Sequence, residues 1–538
     1  MLRSLNKLLW PALFLALALA SAAQQAGQPS PVEGRISGKV VDARSGAPLA
    51  RCSVEISPTS NGGVTRSIDT GEDGLFLFDG LAQGKYSLSA SKRGYLTQAY
   101  EEHDNYSTAI AVGPDLNSEE LIFKVVPQAV ISGVVTDDRG EPVRRAQVKL
   151  FKDDDRMGIR VTHQRQAVMT DDRGVYEIAQ IDPGNYYLEV SARPWYAQPM
   201  RRPQANQSQE EEPDSPLDVA YATTFYPQVT DADEATPIPI KGGERFQADV
   251  TLTAQQSVHL RIPLPAAQPP GSFSLTISQS VFGQTEAANA PMQLIHDGVM
   301  EIAGLLPGHY DFVLDHLGGD SAAVPSTRFS ADVTSGTTEL TPAEAESDVT
   351  VTGKVTSTEG KLSDGGITLQ ATRPRRAYSA RLDPKGEFAV KVPPGEYEIV
   401  GEIPQMYLAR ITAHDGELKN RVLTVKAGSS PELELLAGKG FGQIDGVVKQ
   451  GDQPVSGVMV LLAPDDNGFL FRRDQSDSDG TFTLENIVPG RYRLLAVERG
   501  WELEWANRDV LNAFLKKSVP VIVHANDKLT QAVEVQSQ

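Results

Sequence analysis

The sequence predicts an all-β protein, a tandem array of about five two-layer β-sandwiches. Three observations predict it. A turn–strand–turn–strand pattern recurs five times, a strand–turn–strand pattern precedes most of its copies, and 46 Gly and 35 Pro supply turn formers throughout. Short strands at regular spacing, with turn signals between them, build sandwiches rather than parallel α/β sheets. At 538 residues and 40% hydrophobic, the chain is too long for one compact domain and has apolar material for several cores.

The elements follow in chain order. Residues 1–23 carry Arg3 and Lys7, then the apolar run LLWPALFLALALA from Leu8, then small residues before Gln24. This is the pattern of a cleaved secretory signal peptide. About 13 apolar residues are too few to span a bilayer of ~30 Å as a helix. The expected address is exported, periplasmic or extracellular. Losing Arg3 and Lys7 takes the formal charge from -20 to about -22. So acidic a chain disfavours nucleic acid, which needs clustered Lys and Arg. The lone Cys52 cannot form an internal disulfide, so stability must come from burial.

The recurrent unit reads EDGLFLFDGLAQGKYSLS from Glu72, DRGVYEIAQIDPGNYYLE from Asp172, HDGVMEIAGLLPGHYDFV from His296, DPKGEFAVKVPPGEYEIV from Asp383 and SDGTFTLENIVPGRYRLL from Ser478. Its first glycines are Gly74, Gly174, Gly298, Gly386 and Gly480, and a second glycine follows ten residues later in four copies and nine in one. An acidic residue before Gly makes a tight turn, because the carboxylate bonds nearby backbone and Gly takes a positive φ. Alternating apolar residues then mark a half-buried strand. After the second turn, Tyr86, Tyr186, Tyr310, Tyr397 and Tyr492 open the next strand. A tyrosine there can bury its ring and send its hydroxyl to backbone.

The upstream pattern reads ISGKVVDARSGAPLARCSVEI from Ile36, ISGVVTDDRGEPVRRAQVKL from Ile131, VTGKVTSTEGKLSDGGITL from Val351 and IDGVVKQGDQPVSGVMVLL from Ile444. Gly38 and Gly133 are 95 apart, Gly353 and Gly446 93, and Gly133 and Gly353 220, which leaves room for a copy that lost this pattern near residues 258–265. The expected units are 34–127, 128–256, a degenerate 257–345, 346–440 and 441–536. The Gln-, Glu- and Pro-rich stretch 197–216 reads as a disordered loop inside the second unit, and 283–291 as a weaker hinge candidate. One helix is expected over 507–517, capped by Asn507, with Val510, Leu511 and Phe514 on one face. Five units in a row suggest a rod in which repetition adds reach or valency.

These two patterns together resemble the carboxypeptidase regulatory-like domain, a transthyretin-like sandwich of about seven strands. The whole chain, over about 34–535, resembles the signal-bearing, multi-copy bacterial proteins of that family. FYPQVTDADEATPIPIKGGERFQADVTL from Phe225 is similar to an extension that often follows one such repeat, and ERGWELEWANRDVL from Glu498 to the family's last-repeat ending. The resemblance implies the fold and an extracytoplasmic address but no activity. In metallocarboxypeptidases the domain accompanies the catalytic domain and is not itself catalytic. The fold is often grouped with starch-binding-like sandwiches, which raises carbohydrate as a ligand class by fold analogy.

Catalytic chemistry finds little support. HDGE at His414, with His524 beyond, brushes against a zinc pattern but reads better as a hairpin turned at Asp415-Gly416. DQSDSDGTFTLE from Asp474 approaches a calcium loop, yet alignment on Gly480 puts Gln475 at position one and Asn486 at position twelve. Cys52 aligns with Ala146 and Gly457, as a small buried residue would. A hydroxyisourate hydrolase would need grouped His and Arg and a tyrosine-rich tail, whereas the chain ends AVEVQSQ. No metal site, cofactor or catalytic residue is assigned.

Aromatics outside the repeat remain as candidate binding residues: Tyr95, Trp195 with Tyr196, and Trp501 with Trp505. Exposed rings of this kind stack on sugars. The competing reading is that they cover the open end of a sandwich, since Tyr95 and Trp501 occupy equivalent places. Trp505 has no counterpart in the other copies and is the better binding candidate. The expected function is a non-enzymatic exported binding or scaffold protein of the cell envelope, with polysaccharide or an envelope protein as partner. A purely structural or protein-interaction module, pairing through sheet edges, is the alternative. A cryptic metallopeptidase or peptidase accessory is the third.

Overall fold

Residues 34–537 are described by a computed structural model, apart from 61–62, 115, 155–157, 199–214, 265–271, 290–291, 318–326, 336, 341–345, 358, 361, 363–364, 373–374 and 466–469. The expected signal peptide and most of the 197–216 loop lie outside the described residues. Among the described residues five sandwich cores run along the chain, each closed between two sheet layers, which in the fifth are joined into one eight-stranded sheet by Lys528–Gln536.

The first sandwich sets the pattern. Gly34–Asp42 lies between the antiparallel Leu75–Leu81 and the parallel Leu121–Val125. The facing sheet contains Arg66–Asp69, Ser53–Pro58, Gly84–Ser91 and the short Gln98–Ala99 and Ile110–Val112. Period-two burial sends Ile36, Val40, Phe76, Phe78 and Phe123 into the core, where Cys52 is fully buried too. In the second sandwich the parallel position is filled by Arg245–Gln247 and Val250–Leu252, so the stretch beginning at Phe225 supplies the closing strand of that sandwich. The fourth and fifth use Glu432–Gly438 and Lys528–Gln536. The fourth adds one more strand, Tyr407–His414, antiparallel on the far side of Glu432–Gly438.

The parallel strand explains the upstream glycines. A Cβ on Gly38 would lie 2.3 Å from the Leu121 carbonyl oxygen, and one on Gly446 2.2 Å from that of Gln531. The third sandwich lacks this need. Among the described residues its first strand, Val258–Pro263, meets parallel chain only at the Arg261–Glu339 bridge. By register Ile262 stands where Gly38 stands, and it is fully buried. Among the described residues the third sandwich thus has only this short parallel contact where the other sandwiches have a closing strand.

The downstream unit folds as its residues require. Gly74, Gly174, Gly298, Gly386 and Gly480 have φ between +73° and +79°, the left-handed turn that side chains resist. All five tyrosines turn back on the corner: each hydroxyl donates to the carbonyl four residues earlier, from 2.6 Å (Tyr492 to Val488) to 3.0 Å (Tyr86 to Ala82).

Several expectations need correction. The 283–291 stretch is no hinge where described: Gln284–Ala287 pairs with Ser272–Val281, and Phe282 at its turn packs on Phe151, Tyr187 and Phe225 of the second sandwich. The Asp415-Gly416 turn does not close the hairpin there. It carries the chain from Tyr407–His414 in one sheet to Glu417–Lys419 in the other, whose hairpin with Val422–Val425 turns at Asn420. Glu346–Ser347 pairs with Thr327–Val333 and so joins the third sandwich. Nor is the array a simple rod, because the first sandwich docks on the fifth.

Candidate functional site

The strand Met459–Pro464 in the fifth sandwich is buried on both faces. Val460 and Leu462 face the core, while Met459, Leu461 and Ala463 lie under a second apolar layer. That layer is built from a short helical turn, Gly500–Glu502, and from the helix Arg508–Leu515. The Asn507 side chain caps the helix by accepting the Asp509 N–H at 3.1 Å, and Leu511 and Phe514 pack inward beside Trp501 and Trp505. The two tryptophans are 8% and 9% exposed, so neither is an open stacking platform. Burying them completes the outer face of Met459–Pro464, so this strand is covered on both sides.

The rest of the cover comes from the first sandwich. His103 and Tyr106 close a tight turn through two mutual backbone bonds of 2.9 Å, with Asp104 at φ 56°. The turn places the His103 imidazole parallel to the Trp501 indole, with centroids 5.4 Å apart, and Tyr106 5.2 Å from the same ring. The Arg473 guanidinium lies 4.2 Å from the Trp505 ring and meets Asp104 at 3.3 Å. Cation–π contact and an ion pair thus meet in one partly desolvated place. Both indole N–H groups are buried with no acceptor among the described residues.

Polar contacts extend the docking. Gln475 bridges outward: its Oε1 accepts from the His103 imidazole Nδ1 at 3.0 Å, and its amide N–H groups donate to the Glu101 carbonyl and Thr108 hydroxyl at 2.8 Å each. The acidic turn of the fifth copy, which brushed against a calcium loop, is occupied by protein. Asp477 accepts the Ala109 N–H at 2.9 Å and pairs with Lys85, and Ser478 bonds the backbone of Ala109 and Ala111. Burial pushes the Asp477 carboxyl up, against the pull of Lys85. It pushes Asp474 up to about 6, against backbone N–H bonds from Thr483 and Gln475. The second sandwich joins too, where the Gly158 carbonyl accepts the Ala506 N–H at 2.8 Å.

The remaining candidates are spread out. Tyr95 is half-buried, donating to Asp42 at 2.9 Å, which fits the role of covering its sandwich end. Trp195 is 80% exposed, with Tyr196 edge-on at 5.8 Å. Among the described residues His414 meets Glu434, at 3.8 Å, and His524 meets Asp527, at 3.0 Å. Among the described residues no group of three or more His, Cys, Asp or Glu is placed to hold a metal ion. Burial raises the pKa of the Cys52 thiol, the reverse of an activated nucleophile. Ser257 and His259 both meet the carboxylate of buried Asp218, so hydroxyl and imidazole each use Asp218 and not one another.

A cleft of about 860 Å³ opens beside the docked surfaces, between Leu121–Val125 and the fifth sandwich, with Tyr100, Val458 and Trp501 in its walls. A second, of about 740 Å³, lies where the first, second and fifth sandwiches meet.

Two stretches, 35–115 and 130–210, match the model of the carboxypeptidase regulatory-like domain. The first two sandwiches are regulatory-like domains. Residues 438–521 match the second β-sandwich domain of BOS complex subunit NOMO1-like proteins. In both regulatory-like sandwiches the match ends before the parallel closing strand, which the following residues supply. No curated protein matches the chain. Among solved structures, the Bacillus anthracis TIE protein aligns at 9% identity over 97% of this chain and 78% of its own, with a TM-score of 0.17. A streptococcal ancillary pilin aligns at 11% over 57% and 98%, TM-score 0.20. The minor pilin GBS52 of Streptococcus agalactiae aligns at 11% over 44% and 99%, TM-score 0.21. Scores this low carry nothing about arrangement or role.

Proposed function

We propose that the protein is a non-catalytic scaffold, exported to the cell envelope, that holds its domains in a fixed arrangement and presents binding surfaces to a protein partner. The observation that carries this reading is the docking of the first sandwich on the fifth, where Trp501, Trp505, Arg473 and Asp477 are committed to holding domains together. Export rests on the leader pattern of residues 1–23. No helix among the described residues is long and apolar enough to cross a membrane. The test is small-angle scattering of the chain from Gln24 onward, with and without Asp477→Lys. The variant sets a positive charge against Lys85 and should enlarge the particle while each sandwich stays folded. Equal scattering profiles would sink the reading.

A second reading, polysaccharide binding, keeps one specific support: Trp195 stands 80% exposed beside Tyr196. Retention on insoluble polysaccharide that Trp195→Ala abolishes would favour it. The same retention lost only in Trp505→Ala would not, since that change also disturbs the docking.

A further inference from the structure

Among the described residues the strand Leu121–Val125 is an edge. Its parallel neighbour Gly34–Asp42 takes one side, and the Val125 carbonyl, accepting from Ala43 at 2.9 Å, shows which residues point that way. By alternation Leu121, Phe123 and Val125 address the neighbour, whereas Ile122 and Lys124 turn their N–H and C=O outward. Among the described residues no hydrogen bond reaches those outward groups, and the Ile122 side chain is 52% exposed. Edges of this kind are normally covered or blunted.

The same protein shows how such an edge is filled. In the fourth sandwich Gly353 registers with Leu433 as Gly38 registers with Leu121, so Glu434 corresponds to Ile122. There Tyr407–His414 adds antiparallel to the outer side, pairing Ile411 with Leu435 and Ala413 with Leu433. That added strand, YLARITAH, carries Arg410 and His414 and no acid. Among the described residues the first sandwich has the receiving edge without a strand beside it. In its place is the cleft of about 860 Å³, within the ~300–1,000 Å³ of ordinary binding sites. Tyr100, packed edge-on against Phe123 at 5.5 Å, and Leu121 give it an apolar floor. Its rim is acidic: Glu101, Glu102, Glu119, Glu120 and Glu498 outnumber Lys124 and Arg499.

We infer that this cleft takes an extended peptide segment of a partner protein, alternating apolar with basic residues, which pairs antiparallel with the outward groups of Ile122 and Lys124. The inference rests on the scaffold reading and names its partner's chemistry. Backbone bonds supply the pairing, the floor takes alternate apolar side chains, and the acidic rim selects for Lys and Arg over Asp and Glu.

The test uses the chain from Gln24 onward and a fluorescent synthetic peptide, YLARITAH, with a copy whose arginine is replaced by glutamate. Saturable anisotropy binding of the first peptide is expected, at least ~10-fold weaker for the second. Hydrogen exchange should slow at the Ile122 and Lys124 amides in the complex. Ile122→Pro removes an N–H that faces outward and costs no ladder bond, so it should fold and bind at least ~10-fold more weakly. If that variant fails to unfold cooperatively at the wild-type temperature, the pair Glu120→Lys and Glu498→Lys replaces it, with the same loss expected. No binding by wild type, or binding that leaves both amides unprotected, overturns the inference. A concentration-dependent dimer that Ile122→Pro abolishes also overturns it, making the occupant a second copy of this chain. None of these results changes the scattering comparison of Asp477→Lys, which tests the scaffold reading alone.

Discussion

Trp501→Ala separates two roles for this residue. The ring is 8% exposed and faces His103 and Tyr106 across the domain junction. A buried aromatic ring removes ~150–250 Å² from water, worth ~4–6 kcal/mol at ~25 cal/mol per Å². Measured aromatic-to-alanine changes in cores cost ~3–5 kcal/mol, and we expect a loss of that size for the fifth sandwich in urea unfolding. The share carried across the junction is smaller. Stacking beyond area is ~0.5–1.5 kcal/mol, so a double-mutant cycle with His103→Ala should return a coupling in that range. The assay is urea unfolding of the four proteins, followed by tryptophan fluorescence and far-UV circular dichroism. A loss below ~1 kcal/mol with no coupling to His103 would refute the argument that Trp501 is a buried clasp. Intact stability with abolished polysaccharide retention would point instead to an open sugar platform.

Other outcomes follow from single groups. Asp474, held near 6 by burial, favours folding fully below about pH 3.8 and loses that advantage as pH rises through about 6. The full shift corresponds to ~3 kcal/mol, and partial solvent contact with one lost N–H acceptor reduces it, so Asp474→Asn should gain ~1–2 kcal/mol at pH ~7.5 and nothing at pH ~4, read by thermal melts at both. A gain that is equal at the two pH values would contradict the charge argument. Lys149 holds Glu189 at 3.1 Å and Glu286 at 3.1 Å between the second and third sandwiches, and Glu189 is 4% exposed. Lys149→Ala strands a buried carboxylate and should cost ~3–5 kcal/mol in chemical denaturation. Gly446→Ala drives a Cβ to 2.2 Å from the Gln531 carbonyl oxygen and should destabilise the fifth sandwich by more than ~2 kcal/mol. Wild-type stability in that variant would mean the parallel strand is not where the register puts it.

What could be read from the sequence was local. The turn glycines, the period-two strands and the tyrosine corners depend on residues within about ten positions, and each formed where its pattern lay. The helix capped by Asn507 was equally local. The docking was not, because His103 and Gln475 stand 372 residues apart and no repeat relates them. Trp505 looked like a ligand platform because it had no counterpart in other copies, when its partners are Phe471 and Arg473 nearby. The sequence does carry one signal of the second layer. The run VMVLLA from Val458 is apolar at consecutive positions, and a strand apolar on both faces needs covering on both. The open edge at Leu121–Val125 could not be read at all, since openness is a property of what is missing beside a strand.

Closing a chain on itself over 372 residues would cost a flexible polymer ~5 kcal/mol of configurational freedom, from (3/2)RT ln n. The folded second, third and fourth sandwiches remove most of that cost in advance, because they replace hundreds of free bonds with three stiff links. The junction between the ends therefore reports on the middle. Melting any one of the three intervening sandwiches restores slack to the loop and weakens a contact that contains none of its residues. A mutation in the core of the third sandwich, around Ile302 or Phe312, should thus be felt at Trp501, and the array would unfold more nearly as one unit than as five beads.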